Sequence, residues 1–177
     1  MTLSSDEQFD PDDGLIDAII TFTGCIGNAL EDVCSYGWTI GESYVPFDED
    51  EENEDPDDPC DVACTQAWVR VMSITPSSVD PTSMDGNDCA MMLNLQLEVG
   101  ILRCIELRQG GEAPTATEVL GYAIQSVNDS RAILRAAMNC EVWDSITAGE
   151  WLPQGPLGGQ YGGTWTFTVT VDSGVDC

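Results

Sequence analysis

Apolar residues recur along this chain in two distinct rhythms. Leu15, Ile16, Ile19, Phe22, Ile26, Leu30 and Val33 follow one another at steps of mostly three and four, which places them on one face of a helix. Asp12 or Asp13 is placed to cap its start. Gly24 and Gly27 weaken that helix by roughly 1 kcal/mol each relative to alanine, or let another element pack closely. The second rhythm is alternation. Leu93, Leu95, Leu97, Val99 and Ile101 are interleaved with Asn94, Gln96 and Glu98, the pattern of a half-buried antiparallel strand. Trp165, Phe167, Val169 and Val171 alternate with threonines in the same way. Residues 35–47 and 65–74 read as further strands, the first an edge strand ended by Pro46.

The strongest helix signal follows Pro114. Thr115 and Glu118 form a capping box, in which each side chain satisfies a free backbone N–H of the first turn. Ala116, Val119, Leu120, Ala123, Ile124, Val127, Leu134 and Met138 form its apolar stripe. Arg131 and Arg135 sit toward the C-terminal end, where the helix dipole favours cations. Residues 149–163 carry six glycines and two prolines and read as a loop whose backbone approaches another closely, within the fold or against a neighbour. The expected architecture is α+β: a mostly antiparallel sheet with an N-terminal helix and a second long helix packed on it. The expected organisation is an acidic arm at 1–12, a single domain at 13–172 with a mobile acidic loop at 48–61, and a short tail at 173–177.

Composition then narrows the chemistry. The chain of 177 residues has an ordinary apolar fraction of 42% but a formal charge of −27. It has no histidine, and its five cationic side chains are all arginines: Arg70, Arg103, Arg108, Arg131 and Arg135. Histidine-based triads, lysine Schiff bases, phosphate-loop lysines and histidine-liganded zinc sites are therefore excluded. Carboxylate-only hydrolysis remains possible, but no acidic pair has a distinctive context. A surface this negative repels nucleic-acid phosphates and anionic lipid, which leaves proteins, metal ions or nothing charged as the expected partners. The N-terminus shows neither a basic region nor an apolar run, and no stretch reads as a membrane span, so synthesis in a cytoplasm is expected. That origin favours mostly buried free thiols over a disulfide framework for Cys25, Cys34, Cys60, Cys64, Cys89, Cys104, Cys140 and Cys177, with oxidation after release from a cell left open.

No segment qualifies clearly as a metal or cofactor site. The acidic run ending at Asp61 lacks the glycine of a calcium loop and contains Pro56 and Pro59. Asp80–Asp88 has metal-like side chains but reads better as a turn pivoting on Asp85-Gly86. Trp151 and Tyr161 could anchor an interface or belong to the core.

From about Cys64 to Val171 the chain resembles the tail terminator proteins of long-tailed (siphovirus) phages of actinobacteria. The resemblance is carried by Cys64-Thr-Gln-Ala-Trp-Val-Arg-Val, by Leu95-Gln-Leu-Glu-Val-Gly-Ile-Leu-Arg-Cys104, and by the helix from Pro114-Thr-Ala-Thr to Ala136-Ala-Met-Asn-Cys140. Gly149-Glu-Trp-Leu-Pro-Gln-Gly-Pro-Leu-Gly-Gly and Gly163-Thr-Trp-Thr-Phe-Thr-Val-Thr-Val complete it. It covers some three-fifths of the chain and includes no catalytic signature.

The resemblance implies a non-enzymatic virion protein without cofactors, assembled in the host cytoplasm. It would form a ring, usually of six, at the head-proximal end of the tail tube, ending tube growth. The ring would contact the major tail tube protein and the head-completion (stopper) protein, and DNA would pass through it without specific binding. Six copies would carry roughly −160 of formal charge, screened beyond about 8–10 Å. Asp48, Glu49, Asp50, Glu51, Glu52, Glu54, Asp55, Asp57 and Asp58 are the expected lumen or tube-junction loop. Arg70, Arg103, Arg108, Trp151 and Tyr161 are candidates for the ring interface, each arginine equally able to serve a local ion pair. The alternatives are another neck component such as the stopper, or an acidic DNA-mimic inhibitor.

Overall fold

A computed structural model describes residues 14–33, 35–41, 65–77, 92–105, 113–157 and 159–172. The element order is α1 (Gly14–Gly27), β1 (Ser35–Ile40), β2 (Gln66–Pro76), β3 (Met92–Cys104), α2 (Ala116–Asn139), β4 (Ser145–Leu157) and β5 (Gln160–Asp172). The strands form one sheet in the order β1-β2-β3-β5-β4. Only the β1–β2 pair is parallel; the other three pairs are antiparallel. Both helices pack on the same side, giving the two-layer α+β arrangement expected from the alternation of patterns.

The two strictly alternating segments become the centre of the sheet. Leu95, Leu97, Val99 and Ile101 of β3 are fully buried, as are Phe167 and Val169 of β5. They meet Ile19, Phe22 and Ile26 of α1 and Ile133 and Ala137 of α2 in a single core. Phe22 packs edge-on against both Phe167 and Trp143, at centroid distances of 6.3 and 5.5 Å. Of Gly24 and Gly27, the latter has the packing role: the Tyr36 ring of β1 lies where a Cβ would stand.

Three expectations are corrected. First, residues 149–163 are not a loop. They are the distal half of the β4–β5 hairpin, whose turn holds Gly159 at φ 85°. β4 is an edge strand, where Pro153 and Pro156 do not interrupt an inner ladder. Its register slips between Ala148 and Trp151 and again between Gln154 and Leu157, each slip taking in a glycine. These slips erase the alternation by which a strand is recognised. Second, the three cysteines among the described residues are not free thiols. Cys25 at the end of α1 is bonded to Cys140 just after α2, and Cys104 is also in a disulfide. The free-thiol expectation came from the presumed compartment, whereas the fold brings Cys25 and Cys140 to a Cα separation of 6.2 Å across 115 residues. Third, Arg131 and Arg135 lie before the last turn of α2, too far from its end for the dipole to account for them.

Candidate assembly interface

The five residues expected at a ring interface have separate fates. Arg103, on β3, is 6% exposed and points into the protein. Its Nε and Nη2 donate to the two carboxylate oxygens of Asp129 on α2, at 2.7 and 2.9 Å, and Nη2 also donates to the Glu31 carbonyl at 2.9 Å. Gln125 holds the same carboxylate at 3.1 Å. Burial by itself lowers the guanidinium pKa, but the hydrogen bond and charge of Asp129 outweigh it and raise it above its ordinary value. Such a paired fork is geometrically specific and fully occupied. It clamps β3, α2 and the α1–β1 connection together and is not available to another subunit. Arg70, on the sheet face away from the helices, pairs with Glu98 at 2.8 Å, and the Trp68 indole N–H donates to the same carboxylate at 3.2 Å. Both arginines thus make ion pairs within the chain. Arg108 lies outside the described residues, as do Asp48–Asp58, both segments weighed as metal sites and the N-terminal arm.

Trp151 and Tyr161 come together. The hairpin passes beside the N-terminal half of α2, and the space between holds a cavity of about 290 Å³ lined by Val119, Tyr122, Val127, Trp151, Pro153 and Tyr161, among others. Tyr161 is buried, its ring 4.7 Å from that of Tyr122. Burial raises its pKa, with the nearby Arg103 charge opposing. Trp151 is half-buried, 6.0 Å from Trp165, and its ring occupies the place a Cβ on Gly163 would take. The glycine there serves a close approach within the fold.

The larger surprise is the orientation of α2. The residues it buries are Ser126, Asp129, Ile133 and Ala137. Ser126 donates to the Gly162 carbonyl at 3.1 Å, and the Trp165 indole donates to the Ser130 carbonyl at 2.9 Å. The stripe expected to face the core is turned outward instead. Leu120 is 60% exposed, Ile124 and Val127 54% and Met138 51%. The helix contains two apolar stripes, and Arg103 decides between them: its buried charge requires Asp129 on the inner face. A sequence signal for this does exist, because Tyr122, Ser126, Asp129, Ile133, Ala137 and Cys140 also recur at three and four. Arg131 and Arg135 are exposed on α2, beside Leu134 and Met138 in a shallow depression. Among the described residues neither has an ion-pair partner.

Among the described residues no three or more histidine, cysteine, aspartate or glutamate side chains cluster as metal ligands. No described helix is long and apolar enough to cross a membrane. No protein-family model matches this chain, and no curated protein matches it.

Proposed function

We propose that this chain is a phage tail terminator: a structural, non-enzymatic virion subunit that closes into a ring on the head-proximal end of the tail tube. The ring ends tube growth, receives the head-completion protein and lets DNA pass. The observation that carries this function is the outward face of α2. Four large apolar side chains lie half or more exposed along one helix, beside an aromatic groove. Exposed apolar surface of this extent marks a protein–protein contact. The resemblance over Cys64–Val171 supplies the kind of assembly, and a charge of −27 suits a lumen that must not hold DNA. The disulfides fit a particle that leaves the reducing cell, closing after release. The open sheet, with edges at β1 and β4, weighs against the small closed barrel of a stopper.

The test adds purified chain to isolated tail tubes. Light scattering across salt and magnesium follows self-association, and negative-stain images show the tube ends. A ring capping one end, with further tube growth halted, is the expected result. Chains that remain single under every condition and leave both tube ends bare would sink the proposal.

A further inference from the structure

We infer that two copies of this chain pair through the outward face of α2, each laying that helix antiparallel on the other's across a two-fold axis at Val127. The contact stands on its own observations and does not rest on the ring.

The outward face is a regular seam. Leu120, Ile124, Val127, Arg131, Leu134 and Met138 follow one another at alternating steps of four and three. That is the spacing of the narrow stripe by which one helix packs along another, and it runs about 27 Å at the rise of an α-helix. Leu134 is half-buried and the others are exposed. None of them is among the residues that α2 buries in its own fold. The occupant such a seam takes is a helix with the same spacing. Among the described residues α1 does not supply one: its apolar face is used in the core, and its outward side shows only Asp17, Ile20 and Gly24 at corresponding steps. α2 itself does.

The seam matches its own reverse. Leu120 and Leu134 lie equally far before and after Val127. Turning a second copy end for end therefore sets Leu120 on that copy's Leu134, Val127 on its Val127 and Ile124 beside its Arg131. A patch that fits itself in this way is what a two-fold contact requires. A parallel pair would instead set Arg131 on Arg131 and Arg135 on Arg135. The antiparallel pair opposes the helix dipoles and parts the two Arg131 side chains by about 12 Å along the helices, beyond the screening length of about 8 Å at physiological salt. The Arg131 stem covers the second copy's Ile124, and its guanidinium reaches water past Gly121, where a Cβ would meet nothing within 4 Å.

Charge selects the same surface. A chain with 32 acidic and five cationic side chains repels its own copies. The exposed positions of α2 hold no acidic residue; the charged ones are Arg131 and Arg135. Here two copies approach without setting acid against acid. Val119 and Val127 also line the aromatic groove, so apolar surface continues from the seam to Trp151 and Pro153. A two-fold contact joins two copies and stops there. It is a different use of this face from a ring, and the pair has to open before a ring can take the same surface. The free chain thereby keeps its assembly surface covered.

Two experiments on the full chain test this. In the first, isotopically heavy and light chains carrying Val127→Cys are mixed and treated with a short bis-maleimide, and linked peptides are identified by mass spectrometry. A residue on the axis meets itself, so heavy–light links between the two introduced thiols are expected. Leu120→Cys should give no link to itself, because its counterpart is Leu134. Self-links from Leu120→Cys, or none from Val127→Cys, overturn the inference. In the second, sedimentation equilibrium compares the unmodified chain with Arg131→Leu and Leu120→Glu, with circular dichroism confirming that the fold is kept. Arg131→Leu replaces a cation in the seam by an apolar side chain and should tighten pairing at least about tenfold; Leu120→Glu should weaken it at least about tenfold. If Arg131→Leu pairs no better than the unmodified chain, or the unmodified chain stays single at every concentration, the inference fails. A pair linked at Val127 that gives no ring on tube ends leaves this contact standing and removes the ring. A ring assembled by a chain that never pairs does the reverse.

Discussion

The two faces of α2 reverse the usual distribution of polarity. Midway along its inner face stand Ser126 and Asp129, both buried. Opposite them, in water, stand Leu120, Ile124 and Val127. The inner face tolerates its polar groups because each is paired: Ser126 with the Gly162 carbonyl, Asp129 with Arg103 and Gln125. The outer face has no such partners within the described residues. A buried polar group that is satisfied reports on the fold of one chain, whereas an apolar face left uncovered reports on what the chain meets. The comparison separates residues that hold this helix down from residues it presents.

The largest effect should come from cutting the inner face at its charge. Asp129→Ala leaves the Arg103 guanidinium buried and unpaired, and urea unfolding should show a loss of about 3–5 kcal/mol. The comparison is sharpened by replacing both partners, Arg103→Met with Asp129→Leu. That pair should recover most of the loss, because two desolvated charges are removed together. If the double variant is as unstable as the single one, the clamp specifies the helix face as well as stabilising it.

Next in size is the covalent tie. Cys25→Ser with Cys140→Ser should lower stability by about 2–4 kcal/mol, since the bond closes a loop of 115 residues in the unfolded chain. Thermal unfolding with and without reductant checks this, and the variant should show the smaller response to reductant.

A pH dependence follows from Tyr161 beside the clamp. Its hydroxyl is held protonated above the ordinary value of 10.0 because burial penalises the phenolate. In the unfolded chain the same group ionises near 10, so the unfolded state binds fewer protons there. Stability should be intact below that pH and fall as the pH climbs through and beyond it. Tyr161→Phe should flatten this part of a melting-temperature profile.

The smallest effect on folding should come from the outer face. Leu120→Glu and Ile124→Glu should each change the stability of a single chain by less than about 0.5 kcal/mol while weakening self-association. A large loss of stability in dilute, unassociated protein would mean that this face is covered within the chain, and the contrast between the two faces would fail.

Much of this arrangement was legible in the sequence. β3 and β5 announced themselves by strict alternation, α1 by its three-and-four spacing, and the start of α2 by its capping box. In the structure Glu118 N–H donates to Thr115 Oγ1 at 3.3 Å and the Thr115 N–H donates to Glu118 at 2.6 Å. These signals are local, and local physics sets them. What was missed depends on contacts far apart in the chain. The side of α2 that turns inward is chosen by Arg103, 26 residues from Asp129. Trp151 and Tyr161 were singled out by residue type, but the groove they share with α2 required β4, whose glycines, prolines and two register slips conceal the strand. The Cys25–Cys140 pairing has no expression in spacing at all. The arginine roles were open because a cation's sequence neighbours do not say which carboxylate the fold will deliver.

The bond between Cys25 and Cys140 also decides how the protein would bear a pull. Tension applied between Gly14 and Asp172, the first residue of α1 and the last of β5, passes across the sulfur bridge and bypasses the segment between Cys25 and Cys140. That segment contains β1, β2, β3 and α2, so the clamp and the outward face of α2 lie off the line of force. The strain falls on the β4–β5 hairpin, and β5 is laddered on both flanks, to β3 over thirteen residue pairs and to β4. Ser145 and Thr170 are partners at the open end of this hairpin, so the load peels the β4–β5 ladder from that end one bond after another. Reduction of that one bridge would bring α2 into the loaded path.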